Sequence, residues 1–534
     1  MAPLFPCRPP APQTTQETKH PDGDEMIGAP SDRTNRWLTW LAAAAVALYS
    51  VCRYREALLT FFFFDDFWVM RDGARIHLRS AADLFDFFRP GHAGYALYRP
   101  LTTVGYSYLL QTLCGYDASA QHGFQLLVFA ANVALAVAIT QQLARSVVAA
   151  VAAGLLYAVA PGQAANAYWL AAFTVTGTAF WLLAMMACWV FAAPRWRPAL
   201  CALGQIAALL SSEHGVAGPV LLAILAAMRR ESARRALVAI APAVVLVAGY
   251  LAAKLYYFKW IPSPTTVYVL AVYGLTFDVT IWLRHLGQYL VQCFTPLALW
   301  KPTDDTALLL AGGLIATLAL TTWRAYRAGG SWPLAAGGIA LFVASLGPAF
   351  PQRARFGTAY ICVAVLGTAW LVIGLCQLAS RYGSWLALAL ALAMVVVDQR
   401  SDERAWREPP VFKLIVNGSL GSARWMETAR RAAWASQHDV LIPRDPMTEW
   451  LFGVVQVQTF FPEMPQRVTL YERKEPPPVQ PGQVLLSSAV PLTTPAHFPG
   501  AQPRWNWLRR FAAPRAGRMR LGAQHEYVVD DARD

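Results

Sequence analysis

The sequence predicts a mainly α, polytopic helical membrane protein, and three observations support this fold class. Of the 534 residues, 56% are hydrophobic and only 14% are charged. A soluble globular domain of this length usually has about a quarter of its residues charged. The apolar residues fall into runs of about 17 to 25, the length that crosses a bilayer as a helix. In addition, 20 Trp and 20 Tyr residues suit the two interfaces of a membrane.

The polar, proline-rich residues 1–36 are expected to form a disordered cytoplasmic tail, because they lack the apolar core and cleavage pattern of a secretory signal. Residues 37–397 are expected to form the transmembrane domain, with about eleven spans. Two of these spans lie within residues 198–228, on either side of a polar turn from Ser211 to His214. The other apolar runs lie near 36–52, 122–144, 146–162, 167–193, 236–257, 306–323, 332–350, 357–379 and 383–397.

An amino terminus on the inside places the short basic loops in the cytoplasm, as the positive-inside rule requires. These loops contain Arg145, Arg195, Arg197, Arg229, Arg230, Arg234, Arg235, Arg324, Arg327 and Arg381. The assignment holds only if residues 281–300 do not cross the membrane. Polar residues recur there at near-helical spacing, which predicts an interfacial or re-entrant helix. They are Arg284, His285, Gln288 and Gln292.

The first outer loop, residues 53–121, is expected to contain interfacial helices. The four aromatic rings of Phe61–Phe64 would anchor the end of the first span at the membrane interface. Asp65 and Asp66 follow directly, just outside the hydrocarbon. Ionisable residues at a membrane boundary are costly, so these two carboxylates are candidates for a functional role.

Residues 398–534 are expected to form a small extracytoplasmic α/β domain, because the long apolar runs end before them. Residues 421–436 have a helical pattern. Short strand-like runs lie at 439–442, 467–471 and 483–486.

The charge and the cysteines exclude some classes of function. The formal net charge is +13, but the basic residues are scattered between apolar spans and form no single face, so no nucleic-acid partner is expected. The membrane is the expected partner of these residues. The eight cysteines show neither CxxC nor Cys/His spacing, so neither a disulfide framework nor a zinc site is expected.

Five motifs follow one another along residues 37–380. They are Asp65-Asp66, Tyr98-Arg99-Pro100-Leu101, Tyr157 to Pro161 with Trp169, Leu210 to Gly215, and Pro351 to Tyr360. In this order they resemble the GT-C superfamily of membrane glycosyltransferases. Within that superfamily, the chain is most similar to the branch of the protein O-mannosyltransferases and the lipid A aminoarabinose transferases.

The resemblance implies a polyprenyl-phosphate-linked sugar as donor, transfer on the outer face of a bacterial inner membrane, and a catalytic carboxylate at the end of the first span. The acceptor would be a hydroxyl of a glycan, a lipid or a protein. Two departures leave the donor's identity open. The family often has His-x-x-Asn-x-x-x-His at the second span, where this chain has His122, Gln125 and Phe129. The family's Arg-x-x-Tyr corresponds to Arg355 and Tyr360, with a longer spacing.

Transfer from a lipid phosphate needs only one base, because the departing phosphate is already weakly basic and takes up no proton. Asp65 and Asp66 are the candidates. Neighbouring side chains diverge by ~100° on a helix and by ~180° on a strand, so the two are expected to differ in role. One would deprotonate the acceptor in an inverting transfer. The other would orient it or help to hold a divalent cation, Mg or Mn.

Arg353 and Arg355 are the first candidates for binding the departing phosphate, because a guanidinium group presents a planar fork of donors. Both could instead contact lipid headgroups. Arg99 is a further candidate, although it could also tie down its own loop. Glu213 and His214 interrupt an apolar hairpin, and they are candidates for a second acid or for metal ligands as well as for a simple polar turn.

Three alternatives compete with a GT-C-like glycosyltransferase, one of them within the same class of enzyme. A transporter or flippase of a lipid-linked glycan would place charges near the bilayer midplane, often in two related halves. The charges here gather at the outer boundary instead. An O-antigen-ligase-like enzyme would carry its key residues in a large late loop, and a structural membrane scaffold would need none of them.

Overall fold

The fourteen α-helices in the described part of the chain confirm the mainly α fold class. The structure is a computed structural model. It describes residues 31–62, 66–67, 69–70, 83, 99–260, 276–295, 303–327, 333–350, 358–405, 422, 425–426, 429, 439–443, 468–471, 483–485, 520–521 and 527–528. The helices are α1 Ser31–Arg53, α2 Tyr106–Cys114, α3 Ala118–Ala144, α4 Val147–Val159, α5 Gln163–Tyr168, α6 Phe173–Phe191, α7 Arg197–Ser211, α8 Gly218–Met228, α9 Ala233–Trp260, α10 Val279–Gln292, α11 Asp304–Arg327, α12 Leu334–Leu346, α13 Ala364–Ala379 and α14 Gly383–Ala405.

Each predicted apolar run coincides with one of these helices. Seven are shorter apolar helices, and four are long and apolar enough to cross a membrane by length and composition alone. The four are Ala118–Ala144, Leu170–Phe191, Ala233–Tyr256 and Asp304–Arg324. The chain is therefore a multi-pass integral membrane protein, and the number of crossings stays a prediction.

The first and last of these helices extend beyond the predicted boundaries of the transmembrane domain. Helix α1 begins at Ser31, so residues 31–36 of the expected tail are helical. Ser and Asp favour helix starts, and Asp32 follows Ser31 directly. Helix α14 continues to Ala405, past the expected boundary at residue 397.

An ion pair joins the ends of α1 and α14. Arg53 Nε lies 2.6 Å from Asp398 Oδ2, and Nη2 lies 3.0 Å from Oδ1. The two residues lie in the carboxyl-terminal halves of their helices, so these two halves meet. Eleven crossings would place both halves at the same side of the membrane, whereas an additional crossing by residues 281–300 would place them at opposite sides. The ion pair therefore favours the predicted topology.

Helix α10 lies within the segment for which we predict an interfacial or re-entrant helix. Its 14 residues would span about 21 Å, less than the ~30 Å of a hydrocarbon core. Arg284 pairs with Asp304 at the start of α11, at 3.1 Å. His285 Nδ1 lies 3.2 Å from Phe350 O, just beyond α12. Both contacts tie α10 to the ends of neighbouring helices.

Helix α3 packs against α1, α4 and α6. Helices α12 and α13 approach closely, because a Cβ on Gly367 would lie only 2.6 Å from the Gly338 carbonyl oxygen. Small residues at such crossings allow membrane helices to pack backbone against backbone. Helix α13 follows the 3₁₀ turn Thr358–Ile361, which carries Tyr360 to the site described below.

The three predicted strands are confirmed in the carboxyl-terminal region. Strands β1 Asp439–Pro443, β2 Val468–Tyr471 and β3 Gln483–Leu485 form a parallel sheet in the order β2-β1-β3. Two further strands, β4 Arg520–Leu521 and β5 Tyr527–Val528, pair antiparallel. Within the predicted helix 421–436, the described residues are helical and buried, and they are Ser422, Trp425, Met426 and Ala429.

Candidate functional site

Four of the seven predicted site residues fall within the described part of the chain. They are Asp66, Arg99, Glu213 and His214. Asp65, Arg353 and Arg355 lie outside it, so their roles stay predictions. The four described residues lie at the same end of the helix bundle as Arg53, which we call the Arg53 end.

Asp66 is a buried carboxylate beside the start of α6, and only 2% of the residue is exposed. Its Oδ1 accepts a hydrogen bond of 2.6 Å from the backbone N–H of Ala171. Ala171 lies in the 3₁₀ turn Leu170–Ala172, which directly precedes α6. A backbone N–H donor stabilises the ionised carboxylate. It also fixes the direction of the side chain, which a catalytic base requires.

The segment 99–111 connects the surroundings of Asp66 to those of Glu213. After Arg99 it forms a π-helical turn, Pro100–Gly105, and then α2. Such turns are rare and frequently lie at functional sites. The Thr102 hydroxyl donates a hydrogen bond to the carbonyl oxygen of Ser211, the last residue of α7. This bond holds the segment against the turn that contains Glu213.

The other part of the segment borders Asp66 through Tyr106 and Met70 through Gln111. The Tyr106 ring stacks on Phe173, with centroids 3.4 Å apart, and Asp66 is close enough to act electrostatically on its hydroxyl. The Gln111 amide donates to Met70 O at 2.7 Å. The Tyr106 hydroxyl is buried without a hydrogen-bond partner among the described residues, so it could bind a ligand beside Asp66.

Glu213 lies between two cations, one on each carboxylate oxygen. Arg99 donates to Oε2 through Nε at 2.8 Å and Nη2 at 2.7 Å, and Lys254 of α9 contacts Oε1. The Arg99 and Lys254 side chains are only 14% and 13% exposed. We call these three residues the Glu213 cluster. Two positive charges and one negative charge give the cluster a net charge of +1.

The turn residues Glu213 and His214 differ in charge at neutral pH. Burial tends to raise the pKa of Glu213, but Arg99 and Lys254 lower this pKa well below its ordinary value, so the carboxylate is ionised. Burial, reinforced by Arg99, lowers the pKa of His214 to about 4, so the imidazole is neutral. The His214 ring lies 4.7 Å from that of Tyr360, which therefore borders the cluster.

The donor groups around Glu213 do not favour a divalent cation. Both carboxylate oxygens already contact cations, and a neighbouring metal ion would add further positive charge. Within the described ranges, no three His, Cys, Asp or Glu side chains lie close enough together to hold a metal ion. The expected Mg or Mn site at Asp65 and Asp66 stays a prediction.

Lys254 is the residue of the cluster that the sequence analysis missed. It lies in the apolar run 236–257, which we interpreted only as a span. An ionisable residue inside a span is costly and is itself a sign of function, so this signal was available. No sequence signal marks the backbone N–H of Ala171, because any residue except proline would supply the same donor.

Replacing Gly215 by Ala is expected to displace the turn that carries Glu213. A Cβ at Gly215 would lie 2.6 Å from the backbone carbon of Ala208, and the backbone of α7 cannot move aside easily. We expect a loss of about 1–3 kcal/mol of unfolding free energy, the usual cost of overpacking. Thermal unfolding in detergent micelles would measure it.

Gly312→Ala in α11 is the matched control, because a Cβ there meets no atom within 4 Å. In a helix interior, Ala is more stable than Gly by roughly 0.5–1 kcal/mol, so this variant should unfold no earlier than the wild type. Equal unfolding of the wild type and Gly215→Ala would contradict the close packing of the turn.

The chain matches no protein-family model and no curated protein. Among solved structures, it is similar to the crystal structure of ArnT from Cupriavidus metallidurans bound to undecaprenyl phosphate. The TM-score is 0.38 and the sequence identity is 15%, over 76% of this chain and 71% of that chain. Similarity at this level supports no particular activity, so the function is argued from the residues themselves.

Proposed function

We propose that this protein is a membrane glycosyltransferase that moves a hexosyl or pentosyl group from a polyprenyl-phosphate-linked donor to an acceptor hydroxyl. The Glu213 cluster carries the proposal, because it holds two cations at the same end of the bundle as the buried carboxylate of Asp66. An anion-binding group and a base are the two parts that such a transfer needs. The reaction would occur on the extracytoplasmic face of a bacterial inner membrane.

The net charge of the Glu213 cluster suits a monophosphate donor. A sugar joined to a polyprenol through one phosphate is a phosphodiester with a single negative charge. Binding it would neutralise the +1 of the cluster, and a partly buried charge is most stable when it is neutralised. A diphosphate-linked or nucleotide-linked sugar carries about two negative charges, so its binding to the cluster would leave an excess of negative charge.

In the proposed step, Asp66 takes the proton of the acceptor hydroxyl while the acceptor oxygen bonds to the anomeric carbon of the sugar. The bond from that carbon to the phosphate oxygen breaks, and its electron pair stays on the phosphate. Attack on the face opposite the phosphate inverts the anomeric configuration. Asp65 would orient Asp66 or share a divalent cation with it. The acceptor would be a glycan, a lipid or a protein.

The departing polyprenyl phosphate gains a second negative charge, so further cations would stabilise it. We assign this role to Arg353 and Arg355, whose loop follows α12. Glu213 would act as the counterion that holds Arg99 and Lys254 in place. This role replaces that of a second acid, because a carboxyl group with so low a pKa carries no proton to donate near neutral pH.

A donor comparison in proteoliposomes tests the proposal. The purified protein would receive cell-envelope extract as acceptor and one of three radiolabelled donors, which carry the same sugar on polyprenyl phosphate, polyprenyl diphosphate or a nucleotide. We expect labelled product and free polyprenyl phosphate from the first donor alone, across a panel of hexoses and pentoses.

Two results would contradict this function. Transfer from only the diphosphate or nucleotide donor would show that the donor class is wrong. Movement of the intact labelled lipid across the bilayer, without bond cleavage for any sugar of the panel, would identify a transporter instead.

A further inference from the structure

Two buried polar side chains on α3 have no part in the proposed chemistry. His122 and Gln125 lie three residues apart, so they face the same side of the helix. Both are fully buried. Burying polar groups is costly unless they form hydrogen bonds, so the partners of these two side chains indicate why they are there.

His122 holds the chain segment that leads from α1 to Asp66. Its Nε2 lies 2.9 Å from the Thr60 hydroxyl oxygen, and that hydroxyl donates its single proton to Ala57 O at 2.7 Å. Because the hydroxyl has only one proton, Nε2 donates to Thr60 as long as Thr60 keeps its bond to Ala57 O. Phe61 and Phe62 follow Thr60 and are themselves buried, so the segment is anchored a few residues before Asp66.

Gln125 holds the segment that supplies the hydrogen bond to Asp66. Its side-chain amide donates to Asn166 O and to Trp169 O, the latter at 2.9 Å. These carbonyl groups lie at the end of α5, and Trp169 O also accepts the backbone N–H of Ala172 at 3.0 Å. The turn Leu170–Ala172 begins at the next residue, and its Ala171 N–H binds Asp66.

We propose that His122 and Gln125 are positioning residues for Asp66. One turn of α3 fixes two segments that meet at the carboxylate. The first bears Asp66, and the second contains Ala171, whose N–H donates to Asp66. The inference rests on the proposed role of Asp66 as the base. The two side chains themselves are buried in the bundle, so they would act through Thr60 and Ala171 rather than by contacting the sugar.

Gln125→Met keeps the side-chain volume and removes the amide donor, and His122→Leu removes the imidazole donor. We expect either change to lower kcat by about 10- to 100-fold, because misplacing a catalytic group by about 1 Å costs up to that much. The KM for the donor should change little, since the Glu213 cluster is untouched. His122→Gln, which retains an N–H donor, should recover most of kcat.

Asn132→Leu is the matched control. Asn132 lies on the same helix, is also fully buried, and donates to a backbone carbonyl, that of Thr176 in α6, at 3.0 Å. Asn132→Leu should destabilise the protein through the loss of one buried hydrogen bond, where Gln125→Met loses two, but leave kcat unchanged. If Asn132→Leu and Gln125→Met lowered kcat equally, the role of Gln125 would be structural only.

Hydrogen–deuterium exchange provides a readout that needs no activity. Gln125→Met should speed exchange in a peptide that contains Ala171, and His122→Leu should do so around Thr60, whereas Asn132→Leu should change neither. Unchanged exchange at both places would overturn the proposal. If the wild type transferred no sugar from any donor, the proposed function would fail, and exchange alone would still decide whether α3 fixes the two segments.

Discussion

Replacing Asp66 by Asn is expected to slow transfer by about 10²- to 10⁴-fold, the usual contribution of a general base. The amide has nearly the same shape as the carboxylate, and its oxygen can still accept the hydrogen bond from Ala171. The variant should therefore fold normally but be unable to take up the acceptor proton. Single-turnover transfer from a labelled polyprenyl-phosphate sugar would measure the chemical step directly.

Asp65→Asn is the matched control for this experiment. It removes the same charge one residue earlier, on a side chain that we expect to diverge from that of Asp66 because neighbouring side chains do so on helices and strands. We expect a smaller loss of rate, together with weaker metal dependence if the two carboxylates share a cation. If Asp66→Asn kept the wild-type rate and Asp65→Asn lost most of it, the base would be Asp65 rather than Asp66. Wild-type rates in both would exclude a base at this position.

Replacing Glu213 by Gln is expected to cost stability as well as activity. The change leaves Arg99 and Lys254 without their shared carboxylate and raises the net charge of the cluster from +1 to +2. Removing one partner of a largely buried charge pair costs about 2–5 kcal/mol. Both cations should then move from their positions, so the KM for the donor should rise. Thermal unfolding in detergent and transfer kinetics would measure the two effects.

Glu231 provides a control at the opposite end of the bundle. It also lies between two cations, with Oε1 at 2.9 Å from Arg197 Nη1 and 3.6 Å from Arg229 Nε. Glu231→Gln should therefore destabilise the protein in a similar way. Because this carboxylate is remote from the proposed site, the KM for the donor should not change. A similar rise in KM for both variants would indicate a general loss of structure.

A double variant separates charge from shape in the Glu213 cluster. Glu213→Gln with Lys254→Met removes one negative and one positive charge, which restores a net charge of +1. We expect the double variant to be more stable than Glu213→Gln alone, with a coupling of about 1–3 kcal/mol between the two positions. If the loss of stability in the double variant equalled the sum of the losses in Glu213→Gln and Lys254→Met, this result would contradict a direct ion pair between the two residues.

The helices could be predicted because each apolar run had the length and composition of a membrane span. Their ends could not, since α1 and α14 continue through polar residues that the hydropathy pattern places outside the membrane. The short strands β1 to β3 were recognisable because runs rich in β-branched and aromatic residues stand out in polar sequence. Their parallel pairing depends on contacts between distant residues, which no local pattern records.

Several residues of the site could be predicted from the sequence, but the contacts between them could not. Arg99 and Glu213 were both candidates, yet they lie 114 positions apart in sequence, and their contact depends on how α7 and the π-helical turn pack. Gln125 was visible only as a departure from the family pattern. Its importance depends on two backbone carbonyl groups, which look the same in every sequence.

The ion pair between Arg53 and Asp398 determines where the protein can be divided. A cut before residue 398 would keep every predicted span and would match the boundary suggested by hydropathy. It would nevertheless break α14 and remove the carboxylate that Arg53 contacts at the start of the segment leading to Asp66. A truncated protein that is meant to retain activity should therefore end after Ala405, so that the last helix of the bundle stays whole.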